Sequence, residues 1–418
     1  MTRILRYSLL FLLLVRTPAD GLILESRVEG GGLSPGAILN VAAICLALLS
    51  LLLRPQTSAK IPFLVWGPYL AISGISLTYA TDAFGAVRFF LSMVSYPAIF
   101  TASLLLLRSE RDVVLLFKCV ILSSIIPSAV AFYQVATEGF SDRIQGTLGH
   151  PNIFAFYILS VLIAILYYWH AKRPSLLKRY VLGAYSVLQL ALLLFTQTRN
   201  AWGAAAIVAM IYAIVVNRKL LLALPAIPML LLVPPIADRI TNVEATQNVT
   251  FDEVERGLVV VNSYVWRQKL WGAALEHSAN DRLMGKGFNS FHDNSAAFFP
   301  LGATEAHSGY VQAIYEIGLI GLLTYAWLYV SVGILILHRR ENYTKQGWVI
   351  CCLVAANLVV NYADNIPYYL AYNWYIWSMF GADLALRYSR MRASSSQADQ
   401  PEGAFLASPS GKASASRC

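Results

Sequence analysis

Acidic and basic side chains stand around the start of an apolar stretch, where their types could support proton transfer. The segment EAHSGYVQAIYEIGLIG covers residues 305–321, and residues 310–337 form a pattern that predicts a long apolar helix. His307 has the chemistry of a general base, because an imidazole that titrates near neutral pH can accept a proton from a hydroxyl. Glu316 lies deeper in the helix, where carboxylates are usually functional or paired. Two alternatives remain open: His307 as an interfacial residue, and Glu305 as a cap at the positive end of the helix dipole.

Two arginines lie near this histidine in the predicted topology. Arg199, in TQTRNAWGAAAIVAM, occupies a connection of about three residues between apolar runs. Arg267, in VNSYVWRQKLWGAALEHS, is one helical turn from Trp271, in a helix that could lie along the membrane surface with the indole as its anchor. The alternatives are an arginine that snorkels to lipid phosphates at 199 and a solvated arginine at 267.

Together these groups suit one kind of chemistry. Arginine binds phosphate bidentately and keeps its charge, so a pair of arginines stabilises a diphosphate leaving group. With an imidazole as base, the set fits the transfer of a sugar chain from a polyprenyl diphosphate to a hydroxyl, a reaction that needs no ATP. The sequence has no Walker motif and no Asp-x-Asp pair, and its six histidines are scattered. We therefore predict no metal and no cofactor.

Glycines mark two further features. In RLMGKGFNSF, Gly285 and Gly287 bracket a lysine without the full Walker spacing, so a tight turn is predicted, with amides that could approach an anion. In EIGLIG, Gly318 and Gly321 are expected to permit close helix packing.

A turn is also predicted in SDRIQGTLGHPNIFAFY, where GHPN leads into a helix that starts near Asn152. His150 is accordingly predicted to be a turn residue rather than a ligand or a base.

Composition indicates what positions these groups. Hydrophobic residues make up 57% of the 418 positions, charged residues 13%, and the mean hydropathy is +0.57; a soluble protein has roughly 25% charged residues. We predict an all-α polytopic membrane protein with about twelve spans. They lie near 4–22, 36–53, 61–79, 86–107, 112–136, 151–170, 177–196, 200–217, 219–237, 309–337, 346–362 and 369–386. The first also resembles a signal peptide, but no small-residue cleavage site follows it, so a retained helix is favoured.

The distribution of basic residues predicts the orientation. Alternate connections and both termini are rich in lysine and arginine, which places them in the cytoplasm. The short connections on the opposite side hold few basic residues, namely Arg27, Arg88, Arg143 and Arg199. The net charge of +9 thus marks the cytoplasmic face and implies no nucleic acid. None of the five cysteines lies in the outer loop, so no disulfide is expected there.

Four regions follow from this topology. Residues 1–237 form an N-terminal bundle of about nine helices, and 238–306 form a large external loop with short helices. Residues 307–386 form about three C-terminal helices, and 387–418 form a small, polar, disordered tail.

The motifs resemble the signature of the bacterial O-antigen ligases and their relatives, the O-antigen polymerases and protein O-oligosaccharyltransferases. TQTRNAWGAAAIVAM, a large external loop with WRQKLW and GKGFNSF, and AHSGYVQAIYEIGLIG occur in the order of that family. GTLGHPNIFAFY also resembles the family's preceding segment, so the resemblance covers roughly residues 145–335.

The resemblance implies an inverting, metal-independent glycosyl transfer at the periplasmic face of the bacterial inner membrane. The donor would be a glycan on undecaprenyl diphosphate. The family's two essential arginines fall on Arg199 and Arg267, which would hold the diphosphate, and its histidine falls on His307, which would be the base. Candidates for supporting roles, which no motif match settles, are Arg88, Arg143, Trp271 and Glu316.

The chain length and the single large loop favour a ligase, whose acceptor is a sugar of the lipid A–core. A polymerase is the main alternative, since the motifs describe donor handling. A protein oligosaccharyltransferase would usually bring an extra C-terminal region. A transporter for a lipid-linked glycan would also use membrane arginines, but the sequence has no obvious internal repeat and few polar residues at mid-span.

Overall fold

The computed structural model describes residues 1–25, 34–54, 59–139, 143–172, 174–222, 263–299, 302–338 and 344–398. Every longer regular element in these ranges is an α-helix, as predicted. The helices are α1 Thr2–Arg16, α2 Asp20–Glu25, α3 Pro35–Leu53, α4 Lys60–Ser76, α5 Ala83–Leu106, α6 Glu110–Ser123, α7 Ile125–Glu138, α8 Pro151–Lys172, α9 Leu176–Phe195, α10 Arg199–Val215, α11 Ser263–His277, α12 Phe291–Phe298, α13 Gly309–Leu337, α14 Lys345–Val360 and α15 Leu370–Ala398.

Several helices have the length and composition of membrane spans, which supports a polytopic membrane protein. Seven stretches of the described chain are apolar over at least 18 residues, and α10 and α14 are shorter apolar helices. The seven are 35–53, 60–79, 83–106, 110–137, 151–172, 176–195 and 309–337. The total of twelve stays a prediction, since most of the predicted span 219–237 lies outside the described residues.

Helix α15 lies at the centre of the bundle and packs along α5. Trp374 and Trp377 are buried in this interface. Gly381 allows the close approach, because a Cβ there would lie 2.5 Å from the Phe100 carbonyl oxygen. The helix also continues to Ala398, so the first part of the predicted disordered tail is helical. Arg387 stabilises the extension by bonding through Nε to Asp383 Oδ2 at 2.5 Å.

Helix α1 is part of the same bundle. Leu9 and Leu13 are fully buried among the other helices. The buried Arg16 guanidinium bonds to Asp20 at 2.7 Å and lies over the Trp374 ring. The first apolar segment therefore packs as a helix of the fold, although it is shorter than the predicted 4–22.

Helix α13 is broken at Gly318, whose φ of 70° is left-handed. Residues 282–287, named here the glycine loop, bond to the backbone groups that the break releases. The Lys286 and Gly287 amides donate to the Tyr315 and Glu316 carbonyls at 2.8 and 2.9 Å, and the Leu319 amide donates to the Arg282 carbonyl at 2.8 Å. The turn was predicted correctly, but its amides bind a helix rather than an anion. Gly318 allows the backbone of the glycine loop to approach α13 closely, whereas close packing against another helix was expected.

Candidate active site

Eight residues from distant parts of the chain line one polar cavity, named here the arginine pocket, of about 160 Å³. They are Arg143, Asn152, Gln197, Thr198, Arg199, Asn200, Arg267 and Asp364. Three guanidinium groups against one carboxylate give the pocket a positive charge. It is therefore suited to an anionic group.

The short turn between α9 and α10 brings Arg199 into the pocket. Gln197 has a φ of 51°, so the chain reverses sharply before α10 begins at Arg199. The next residue fixes the helix start, because Asn200 Nδ2 donates to the Val360 carbonyl at 2.8 Å. The arginine predicted from the hairpin thus lines the pocket, and its neighbour Asn200 ties the start of α10 to α14.

Arg143 reaches the pocket from the segment before α8. Its Nε donates to the Thr196 carbonyl at 3.0 Å, and its Nη2 donates to Asn152 Oδ1 at 2.6 Å and to Thr198 Oγ1 at 3.0 Å. These bonds fix the guanidinium plane against the α9–α10 turn. Of the candidates for a supporting role, Arg143 is the one that lines the pocket.

Asp364 is the pocket's carboxylate, and sequence reasoning missed it. Its oxygens accept from Asn152 Nδ2 at 2.9 Å, from the Tyr369 hydroxyl at 2.7 Å and from Asn200 Nδ2 at 3.4 Å. Burial raises its pKa, while the charge of Arg267 and these hydrogen bonds act in the opposite direction. The available signal was an acid between two asparagines in NYADN, in an otherwise apolar region.

Helix α11, which lies between α10 and α13 in the chain, supplies Arg267. Leu270 and Ala274 are fully buried on the packed side of this helix. Trp271 is also buried, and its indole donates to the Ala306 carbonyl at 2.7 Å. The prediction of Trp271 as a membrane anchor is therefore wrong: the indole ties α11 to the segment that precedes α13.

His307 lies beside Arg267, just before α13 begins. Its ring meets the Trp266 ring edge-on, with centroids 5.4 Å apart at 64°. Burial of the imidazole, followed by the nearby charge of Arg267, lowers the pKa of His307 to about 4. Its backbone φ of 49° is left-handed, a conformation that non-glycine residues rarely adopt outside functional or tightly held positions.

The turn of residues 361–365, named here the asparagine turn, holds this backbone. Asn365 Oδ1 accepts from the Ser308 amide at 3.1 Å, and its Nδ2 donates to Glu305 Oε2 at 3.4 Å. The Gly309 amide donates to the Asn361 and Asp364 carbonyls at 2.9 and 3.0 Å. Asp364 therefore belongs to a turn that also supports the histidine segment.

Two details of this segment correct the sequence analysis. The N-cap of α13 is Ser308, whose side chain accepts from the Val311 amide, so Glu305 is not the cap. Glu305 instead bonds to Asn365, and burial raises its pKa.

The other predicted residues lie apart from the pocket lining. Glu316 is 3% exposed and accepts from the Phe291 amide at 3.3 Å and from Gln312 Nε2 at 3.1 Å, so it joins α13 to the start of α12. Arg88 is exposed on α5 and does not line the arginine pocket. His150 Nδ1 accepts from the Asn152 amide at 3.1 Å, which confirms it as a turn residue at the start of α8. Within the described ranges, no group of three His, Cys, Asp or Glu residues has the arrangement of a metal site.

Comparison with known proteins gives one family match. The family model described as O-antigen ligase matches residues 184–326, and no curated protein matches the chain. Arg199, Arg267 and His307 lie inside the matched segment, whereas Arg143 and Asp364 lie outside it. The match agrees with the resemblance of the motifs: residues 184–326 are similar to the O-antigen ligase family.

Proposed function

We propose that the protein is a glycosyltransferase that moves an O-antigen glycan from undecaprenyl diphosphate to a sugar hydroxyl of the lipid A–core. The observation that carries the proposal is the convergence of three arginines on one pocket beside a partly buried imidazole. In the proposed orientation this end of the bundle faces the periplasm, at the bacterial inner membrane. The matched family supports the donor class, and the acceptor follows from the preference for a ligase.

The pocket suits the diphosphate in size and charge. A cavity of about 160 Å³ has room for about five water molecules, which is the scale of a diphosphate rather than of a sugar chain. Arg199 and Arg267 would bind its oxygens, with Arg143 as a third cation held by Asn152 and Thr198. The glycan would therefore extend out of the pocket.

The reaction then needs one base and one leaving group. His307 takes the proton of the acceptor hydroxyl as that oxygen attacks the anomeric carbon, which inverts the configuration. The bond from the anomeric carbon to the phosphate oxygen breaks, and its electron pair stays on undecaprenyl diphosphate. The arginines stabilise that charge, so the step draws on neither ATP nor a metal ion.

Donor binding also prepares the base. Before binding, burial and the Arg267 cation keep the His307 pKa low, so the imidazole is neutral. A bound diphosphate brings negative charge next to Arg267 and offsets that cation. The imidazole becomes more basic when the donor is in place, which couples proton removal to the loaded state.

The test is transfer by the purified protein with lipid-linked glycan and lipid A–core, in the presence of a chelator and without ATP. We expect a covalent conjugate from the wild type. We expect none from His307→Ala, which should still insert and bind donor. Arg88→Ala is the matched control, since this exposed arginine lies off the pocket, and it should retain transfer.

Two results would contradict the proposal. Full activity of His307→Ala would show that His307 is not the base. Glycan movement across the membrane of sealed vesicles without a new glycosidic bond would indicate a transporter. A polymerase is distinguished in cells that lack the protein. Carrier-linked polymer accumulates if the protein is a ligase, whereas a core bearing a single repeat unit indicates a polymerase.

A further inference from the structure

One face of α11 is directed at the active site. Tyr264, Arg267 and Trp271 are spaced i, i+3 and i+7, so their side chains share that face. Arg267 lines the arginine pocket, and Trp271 is held by its bond to the Ala306 carbonyl. Tyr264 therefore stands one turn from a proposed diphosphate ligand.

Tyr362, from the asparagine turn, lies against both ends of this row. Its hydroxyl group lies close enough to Tyr264 for the two side chains to interact. Its ring meets the Trp271 ring edge-on, with centroids 5.3 Å apart at 74°. Two residues further on, Asp364 lines the pocket, as Arg267 does one turn from Tyr264. Each tyrosine is therefore close along the chain to a residue of the pocket.

The pair is both accessible and held in place. Tyr264 is 37% exposed and Tyr362 is 49% exposed, whereas the Trp271 beneath them is buried. Tyrosine offers a large rigid surface with little rotamer entropy to lose, and here the contact with the Trp271 ring restricts Tyr362 further. Exposed, fixed aromatic surface next to a charged pocket indicates a binding surface.

The chemistry of the pair favours a sugar ring. One side of a pyranose presents C–H groups, which pack against the electron-rich face of an aromatic ring, and its hydroxyls can bond to tyrosine hydroxyls. A prenyl chain would pack on the same rings, but neither tyrosine lies in an apolar stretch long enough to cross a bilayer. Two hydroxyls also suit a polar ligand better than a hydrocarbon.

We propose that Tyr264 and Tyr362 form a sugar-binding subsite at the edge of the arginine pocket, which rests on the proposed function. The pyranose is either the first sugar of the donor, next to its diphosphate, or the acceptor sugar. The two sources share the stacking chemistry and differ in which substrate loses affinity when the rings are removed.

The experiment measures the affinities of purified wild type, Tyr362→Leu and Tyr264→Leu for undecaprenyl-diphosphate-linked glycan and, separately, for lipid A–core. Loss of a ring should weaken binding of one substrate roughly tenfold. Weaker donor binding assigns the subsite to the donor sugar, and weaker lipid A–core binding assigns it to the acceptor. Tyr362→Phe keeps the aromatic ring and should therefore retain most of the affinity. It is the variant to measure at this position if Tyr362→Leu does not fold. Tyr133→Leu, at an exposed tyrosine of α7, is the matched control and should bind as wild type.

The outcomes separate the two proposals. Unchanged affinity for both substrates in Tyr362→Leu, or equal losses in that variant and in Tyr133→Leu, overturns the subsite. Wild type that binds these substrates but forms no conjugate overturns the proposed function, while the affinities still decide the subsite. A wild type that binds neither overturns both.

Discussion

At the scale of single residues, the arrangement of the arginines matters more than their number. Arg143 donates three hydrogen bonds to the α9–α10 turn and Asn152, so its plane is fixed before any ligand arrives. Arg199 begins α10 directly after that turn. A diphosphate would therefore meet planar, already oriented donors, which is where arginine and lysine differ most.

Arg199→Lys should lower transfer by roughly 10²- to 10³-fold, because a flexible point charge replaces a planar fork at the leaving group. The measurement is kcat/KM with the lipid-linked donor. Arg218→Lys, at an exposed arginine beyond the other end of α10, is the control and should behave as wild type. Near-normal activity of Arg199→Lys would instead favour lipid contact as the role of Arg199.

The ionisation of His307 gives a second prediction. Burial and Arg267 lower its pKa to about 4, so its imidazole should stay neutral from pH 8 down to about pH 5 and protonate only near pH 4. NMR titration of the ring in the unliganded protein measures this midpoint directly. Arg267→Gln removes a positive charge, so the midpoint should rise, and Arg218→Gln should leave it unchanged. A wild-type titration midpoint at or above 6.5, the ordinary pKa of histidine, would contradict a buried imidazole next to Arg267.

At the scale of elements, the break in α13 joins the glycine loop to that helix. Gly285 has a φ of 76°, and a Cβ there would lie 2.4 Å from the Glu316 carbonyl carbon. At Gly318, a Cβ would lie 2.2 Å from the Leu283 carbonyl oxygen. Both contacts are with backbone, which cannot rotate away, so these two positions require glycine.

Gly285→Ala should therefore destabilise the protein by at least about 1–3 kcal/mol, the usual cost of a strained backbone position. Transfer should fall as well, since α13 carries the His307 segment at its start. Gly272→Ala is the matched control: it lies in α11 with open space around it and should stabilise that helix by up to about 1 kcal/mol. Thermal unfolding in detergent measures the stability of both variants. Equal stability of the two would argue against a structural role for the hydrogen bonds between the glycine loop and α13.

At the scale of the whole molecule, composition and chemistry predicted much of what the structure shows. Apolar runs indicated helices because a bilayer leaves few alternatives for the backbone. Arg199 and Arg267 were found because a charge in a short connection, or beside an aromatic on a helix face, is costly unless it is used. The structure brings these two arginines to one pocket and His307 beside Arg267. The periplasmic orientation remains a prediction from the distribution of basic residues.

Other parts of the site depend on contacts between distant segments, which a single sequence does not reveal. Arg143 is held in the pocket by its hydrogen bonds to Asn152 and Thr198. Asp364 is brought there by the turn that follows α14, where it accepts a hydrogen bond from Asn152. The break in α13 was hidden because Gly318 interrupts an otherwise uniform apolar pattern, and its left-handed φ is stabilised by backbone bonds from the glycine loop. The role of Trp271 was predicted wrongly because a tryptophan that anchors a helix at the membrane surface and a buried tryptophan that bonds to a neighbouring segment have the same sequence pattern.

The shared hydrogen bonds between the glycine loop and α13 also limit how this protein can be engineered or diversify. If the glycine loop were transplanted into another protein, its amides would need an interrupted recipient helix to accept them. A recipient helix without such a break would leave those amides unbonded, because its own carbonyls would already be hydrogen-bonded within the helix. Loop and helix must therefore be exchanged together.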